Sequence, residues 1–495
     1  TQVADLTPLV GLTGLQQLDC RGCRLRQDFP EIWRKQSLTG LYLDGCHIPG
    51  IPPEVLEGGF DGCLEQLRAH YADLEAGKVE RRDLKLLLLG NGRAGKTQIR
   101  NRLCGRDFEE RWDSTHGVRI ESTTFAAGHH AAETRLHLWD FGGQDIYHGT
   151  HALFLRSPAI NLLVWARDTE NADEYECQGL RFRNQRLPFW AALARQQGHP
   201  DSAVLVVQTK CDRAENEQRI QPLPAETVEA LPYFKQLHYS AKPPQRGRAS
   251  LDEALADAIA WMRDPARLGT PLVGAGRMRV QRRLEELRDQ DATRPVEERQ
   301  WRTLTQERFR ELCVAAGGVS SPAHLLDYLS NTGVVFYRQG LFHDLIVLDQ
   351  AWALDAIYAV FDRTRCYRQL RWTGGRFTRA LLESLVWREH GVAEQKLFLS
   401  MMQSCGICFL HREADDDTEY VAPDLLPDRE AVTAELAEKW PEEGPVDSAT
   451  FDYELLHPGL ARTVIAEIGA AAGVNALYWR GGACVYEANT RSRGL

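Results

Sequence analysis

A chain of 495 residues, 43% of them hydrophobic and 26% charged, is long enough for about three or four domains and too apolar for disorder. Its net charge of −10 argues against a general binder of nucleic acid or of anionic membranes. No apolar run reaches bilayer length and no signal-peptide pattern opens the sequence, so a cytoplasmic protein without a membrane span is expected.

The first fifty residues contain a repeat. Leu15-x-x-Leu18-x-Cys20-x-x-Cys23-x-Leu25 matches Leu38-x-x-Leu41-x-Leu43-x-x-Cys46-x-Ile48, an offset of 23 residues (38 − 15). That period suits leucine-rich repeats, with Cys23 and Cys46 at the turn position where such repeats place Asn or Cys. Residues 1–55 are therefore expected to form the C-terminal end of a solenoid. "LTPLVGL" reads as part of an earlier repeat, and the concave surface of a solenoid predicts protein partners. Two C-x-x-C pairs, Cys20/Cys23 and Cys405/Cys408, have no second pair nearby in sequence to complete a zinc site. The twelve cysteines read as reduced structural thiols.

Prolines at 52 and 53 end the solenoid. Leu64, Leu67, Tyr71 and Leu74 recur at helical spacing and predict a linker helix within residues 56–82. From 83 to 267, the strand-like runs "LKLLLLG", "TRLHLWD", "AINLLVWA", "SAVLVVQT" and "KQLHYS" alternate with helical stretches, which predicts a doubly wound α/β domain. "LGTPLVGAG" reads as a linker. In 275–444, helices precede a predicted hairpin at "VVFYRQGLFHDLIVLD", a winged-helix arrangement in an α+β domain that recurs with "RFTRALLESLVW" and "QKLFLSMMQSCG". Residues 445–495 are expected to be the start of a further, incomplete domain.

The chemistry concentrates in the α/β domain. Gly90, Asn91, Gly92, Arg93, Ala94, Gly95, Lys96 and Thr97 fit G-x-x-x-x-G-K-[ST], between an apolar strand and a helix that continues through Gln98. Small residues let backbone N–H groups surround phosphates, and the helix N-terminus favours the anion. Lys96 adds a full charge between the β- and γ-phosphates, and the Thr97 hydroxyl can ligate Mg2+. Arg93 is a candidate for stabilising transferring charge, or a solvated loop residue. "WDFGGQD" places Asp140-x-x-Gly143 44 residues after Lys96 (140 − 96), where the carboxylate can reach the metal shell and the Gly143 N–H the γ-phosphate. Gln144 stands where small GTPases carry the water-orienting glutamine. Thr115, in "STHGV", is the candidate switch residue for Mg2+ and γ-phosphate. His148 and His151 form H-x-x-H, read as a switch-region helix face and not as metal ligands. "TKCD" gives Asp212 to accept from guanine's paired N–H edge and Lys210 to pack along the base. Thr209 replaces the usual Asn of N-K-x-D. "YSAK" supplies Ser240, Ala241 and Lys242 as a cap for the base.

In combination, "DFGGQDIYHGTHALF", "THGV" and "NTGVVFY…LIVLDQAWALDAIYAVF" resemble the bacterial Roco proteins, in which leucine-rich repeats precede a Roc GTPase domain and a COR domain. The resemblance implies a switch that binds GTP or GDP with Mg2+ and hydrolyses GTP slowly. It also implies a homodimer through COR that loosens with GTP. By matching position, Lys96, Thr97, Thr115, Asp140, Gly143 and Gln144 would serve phosphate, metal and water, while Lys210, Asp212 and Ala241 would serve guanine. Three other readings remain: a repeat scaffold with a structural, unhydrolysed nucleotide, an ATPase, which Asp212 disfavours, and a winged-helix DNA-binding regulator. The last is disfavoured by 26 Lys and Arg against 33 Asp and Glu from residue 275 onward, a net of −7.

Overall fold

The computed structural model describes residues 5–23, 31–46, 48, 50–110, 118–126, 133–142, 157–177, 180–218, 223–295, 298–340, 342–362, 365–414, 418–440, 448–453, 459–486 and 493–494. At its centre lies a six-stranded sheet in the order Phe234–His238, Ala203–Gln208, Ala159–Trp165, Asp83–Leu89, Thr134–Phe141, Val118–Phe125. Neighbours are parallel except the last pair. The five expected runs are the five parallel strands. The sixth, Val118–Phe125, is an edge strand whose apolar residues give way to Glu121, Ser122, Thr123 and Thr124, so no continuous apolar run marks it.

Alternation along the strands divides the sheet into two faces. Leu86, Leu88, Leu136, Leu138, Leu205 and Val207 pack on helices Lys96–Leu103 and Arg248–Met262. Leu87, Leu89, Trp139, Phe141, Val204 and Val206 share a core with helix Leu187–Gln197 and also with Trp352, Ala353 and Ile357 of helix Gln350–Tyr358. The second half of the chain thus packs directly on the sheet.

The flanks of this domain are tied to each other. Lys78–Glu80 pairs antiparallel with Leu272–Gly274, so the stretch expected as a plain linker contributes a strand. Arg81 N–H donates to Pro271 O at 2.8 Å and Ala275 N–H to Gly77 O at 2.7 Å. The linker helix runs Leu64–Glu75. Its buried Asp73 pairs with buried Arg277 and accepts Ser320 N–H at 2.6 Å. Glu54 takes two bonds from Arg81, at 2.9 and 3.2 Å. The guanidiniums of Arg81 and Arg277 each lie 5.6 Å from the ring centre of buried Tyr328.

At the N-terminal end, Gln17–Asp19 pairs in parallel with Gly40–Tyr42, Leu18 opposite Leu41, again an offset of 23 (41 − 18). The Cys46 thiol donates to Cys20 O at 2.9 Å, which gives it a structural role. This end shares one core with helices Ala275–Ala292 and Pro322–Thr332.

After strand Leu272–Gly274, the order is helix Ala275–Ala292, strand Thr303–Thr305, helices Gln306–Ala316 and Pro322–Thr332, then strand Leu345–Val347. The expected hairpin reduces to one bridge, Phe336 to Val347. The main partner of Leu345–Val347 is Thr303–Thr305, three residues with no readable period. A similar order follows: helix Gln350–Tyr358, strand Arg376–Thr378, helices Arg379–Leu385 and Val392–Ser404, strands Phe409–Arg412 and Glu419–Val421. In both rounds the first strand ends in a threonine that caps the next helix: Thr305 accepts Arg308 N–H and Thr378 accepts Leu381 N–H. At the C-terminal end, helix Arg429–Lys439 packs Val432 and Leu436 against Leu477, Trp479 and Cys484 of the strands Ala476–Trp479 and Gly482–Tyr486.

Removing Asp73 leaves the buried Arg277 charge without its partner, a loss of about 3–5 kcal/mol. Asp73→Ala should lower the denaturant midpoint accordingly. A midpoint equal to the parent's would contradict the locking role of this pair.

Candidate functional site

The loop after Leu89 is shaped by what cannot fit there. Gly90 has φ +142, and a Cβ on it would stand 2.0 Å from Val164 O. At Gly92 a Cβ would stand 2.2 Å from the Tyr175 hydroxyl, on a hairpin formed by Glu174–Cys177 and Leu180–Arg183. Helix Lys96–Leu103 starts immediately after Gly95. The buried Lys96 ammonium donates to Gly90 O and Asn91 O, both at 2.7 Å, folding the loop around its own lysine. Burial pulls that ammonium down to about 8, against an opposing pull from Asp140. An anion in the loop would raise it again.

Thr97 Oγ1 donates to Asp140 Oδ2 at 2.7 Å. Asp140 is fully buried near the C-terminal end of its strand, in register with Leu88. Two hard oxygen donors thus converge beside the loop, a donor set suited to Mg2+ completed by phosphate and water oxygens. The same carboxylate lies 3.3 Å from Nη1 of buried Arg100.

Not every loop side chain faces a ligand. Asn91 donates to Gln185 O at 2.7 Å and accepts from Gln185 N–H at 2.9 Å and Trp190 Nε1 at 3.3 Å. It braces the loop and leaves only its backbone for phosphate. Gln98 donates to Glu109 O. Ala94 is buried. Arg93 is exposed, with its guanidinium 6.0 Å from the Tyr175 ring centre, in keeping with a solvated loop residue.

At the other end of the site, the buried Thr209 hydroxyl lies 2.5 Å from Ala94 O and 3.1 Å from Trp165 O. It ties the phosphate loop to the adjacent strand end, so the hydroxyl at the usual Asn position keeps a loop-bracing contact. Lys210 adopts φ +59 and its ammonium pairs with Asp168 at 2.5 Å. Asp212 accepts from Ser240 Oγ at 2.6 Å, and its other oxygen is 3.4 Å from Lys242 Nζ. With its side chain 41% exposed, this carboxylate is aimed from behind. Ala241 O accepts Arg102 Nε at 2.9 Å, which docks the "YSAK" turn on the phosphate-loop helix. Thr115, Gly143, Gln144, His148 and His151 lie outside the described residues.

The structure pairs Thr97 with Asp140 and Asp212 with Ser240, and ties Thr209 to the loop that closes on Lys96. Sequence reasoning missed Arg100 and Tyr175. Arg100 was within reach: it lies one helical turn after Lys96 and so faces the same strand ends. Tyr175 comes from a hairpin with no recognisable signal.

Residues 85–212 match the family described as Ras of Complex, Roc, domain of DAPkinase, and residues 278–426 match the C-terminal of Roc, COR-A domain. A Roc-COR-CHAT protease from an unknown prokaryotic organism is 24% identical over 442 residues, 84% of this chain and 38% of that protein. A second, from Runella zeae, is 24% identical over 398 residues, covering 77% and 40%. The chain therefore spans about two fifths of the length of these relatives. The structure titled Methanosarcina barkeri Roco2 RocCORdC bound to GDP matches with a TM-score of 0.51 at 23% identity, over 71% of this chain and 98% of that one, and shares the fold. Together with the strand order above, these matches define a Ras-like Roc domain followed by a COR domain. The chain belongs to the Roco family.

Thr209→Val would leave Ala94 O without its side-chain donor, a loss of about 1–2 kcal/mol, or roughly tenfold in nucleotide affinity. Titration with a fluorescent GDP analogue measures this. Unchanged affinity would show that the hydroxyl does not brace the loop.

Proposed function

We propose that this chain is a guanine-nucleotide switch: its Roc domain binds GTP and GDP with Mg2+, hydrolyses GTP slowly, and passes the nucleotide state to COR. The observation that carries the reading is the pairing of two ends of one site. The Lys96 loop is built for phosphates, and the Asp212 carboxylate, set by Ser240 and Lys242, is built to accept two N–H groups. Guanine offers such a pair and adenine does not, so a site made for that edge discriminates strongly. Thr97 and Asp140 would hold Mg2+, with Thr115 joining in the GTP form. The metal supplies charge neutralisation for the phosphates. Lys96 neutralises the bridging charge, the Gly143 N–H meets the γ-phosphate, and Gln144 orients water. Gln144 favours turnover over a purely structural nucleotide. Arg93, given its exposure, serves best as a surface residue.

A route to COR starts one residue before Asp140. The Trp139 ring lies against Gly333, where a Cβ would come within 2.4 Å of it. Gly333 has φ +78 and caps helix Pro322–Thr332. The buried Lys85 ammonium lies 5.4 Å from the Trp139 ring centre, donates to Ser157 Oγ at 2.6 Å and reaches Asn331 O at 3.2 Å. A shift of Asp140 on nucleotide exchange therefore moves a ring wedged into COR. The remaining elements fit the same reading. The 23-residue coils act as leucine-rich repeats that bind protein partners, the two helix–strand–helix rounds act as winged-helix-like units, and COR joins two protomers in a homodimer. Among the described residues no helix is long and apolar enough to cross a membrane.

Displacement of a fluorescent GDP analogue tests the base assignment. GTP should compete far better than ATP, and Asp212→Asn should weaken GDP binding sharply; equal competition by ATP sinks the assignment. Sedimentation at several protein concentrations, with GDP and with a non-hydrolysable GTP analogue, tests the relay. The GTP form should associate more weakly, and Gly333→Ala should shrink the difference. Identical association constants for the two nucleotide forms of the parent would break the coupling.

A further inference from the structure

Helix Lys96–Leu103 carries a charge where a packed helix face would ordinarily carry an aliphatic residue. Arg100 follows Lys96 by one turn, and its side chain is 1% exposed. Its Nη1 lies 3.3 Å from Asp140 Oδ2, the oxygen that also accepts the Thr97 hydroxyl at 2.7 Å. Its Nε is 3.9 Å from Glu121 Oε1 on the edge strand. Nε and Nη2 also donate to Asn101 Oδ1, at 3.3 and 2.9 Å. Glu121 is shared with Arg106, at 2.8 Å. Burying a guanidinium carries a desolvation cost that an apolar side chain of similar volume would avoid, so this charge does not stand there for packing alone.

We propose that Arg100 is a positioning residue for Asp140, an internal cation that holds this carboxylate in place without a metal and thereby weakens the dependence of nucleotide binding on Mg2+. The inference rests on the reading of this site as a guanine-nucleotide site. Asp140 is bracketed between the Thr97 hydroxyl and the Arg100 guanidinium, so its orientation needs no metal. An arriving Mg2+ meets a carboxylate already partly neutralised and a fixed positive charge close behind it. Both effects lower the gain in nucleotide affinity that Mg2+ brings. By reciprocity, they lower the gain in Mg2+ affinity that the nucleotide brings. Lys96 lies on the same helix and shares Asp140 as its electrostatic partner, so the loop lysine also sits in a field that persists without the metal.

The test uses the full chain and reads GDP affinity in excess Mg2+ and in EDTA, with thermal unfolding as a check on folding. Arg100→Met keeps the volume and removes the charge. The ratio of the two affinities should rise on the order of tenfold over the parent, and Arg100→Lys should recover part of the parent value. Glu121→Gln removes a negative charge from the same cluster and should move the ratio the other way, which a merely structural role for Arg100 does not require. If Arg100→Met and Glu121→Gln both bind GDP with the parent's ratio, the inference is overturned. If Arg100→Met does not fold, Glu121→Gln decides alone. A parent chain that binds GDP in neither condition overturns the guanine-nucleotide reading itself, a distinct outcome.

Discussion

The alternation of the strand Thr134–Phe141 is the constraint on which the rest depends. Adjacent residues on a strand point to opposite faces. Here that rule sends Asp140 toward the phosphate loop and Trp139 toward the COR helices. One strand end thus belongs to two sites. The apolar runs that build the parallel sheet fix the strand in register with Asp83–Leu89, so both residues are carried by one strand end. The close contact of Trp139 with Gly333 then converts a small displacement into a steric conflict, because packed interiors deform little.

The surroundings narrow where such a displacement can go. The chain enters the nucleotide domain through Lys78–Glu80 and leaves it through Leu272–Gly274, and the two are hydrogen-bonded to each other. Buried Asp73 and Arg277 lock the preceding helix to the following one, while Glu54 on the short helix Pro53–Leu56 pairs with Arg81 just after the entry strand. Burial of such pairs is costly unless they are well satisfied. Asp73 meets that condition by also taking the Ser320 N–H. With entry and exit fastened, the face of the sheet that carries Trp139 is the part of the domain in direct contact with helix Gln350–Tyr358.

Much of this was legible in the sequence because the relevant signals are local. "LLLLGNGRAGKT" declares strand, loop and helix within one window, and the five parallel strands are continuous apolar runs. The 23-residue offset reappears as strand pairing between Leu18 and Leu41. What escaped is what only tertiary structure creates. Thr303–Thr305, Arg376–Thr378, Lys78–Glu80 and Leu272–Gly274 are three residues each, too short for any period to show. The edge strand Val118–Phe125 is half polar. The bracing roles of Asn91 and Thr209 depend on partners 94 and 115 residues away. Arg100 differs, because its place one turn after Lys96 already put it on the face toward the strand ends.

The central claim is that the nucleotide state reaches COR through Trp139, and amide hydrogen exchange tests it most directly. Exchange would be compared between the GDP form and the form with a non-hydrolysable GTP analogue, under conditions where each is saturated. The account predicts a difference in protection in 329–336, around Gly333, and in 350–358, the COR helix packed on the sheet. A difference confined to the nucleotide domain, with both COR segments exchanging identically, would contradict it.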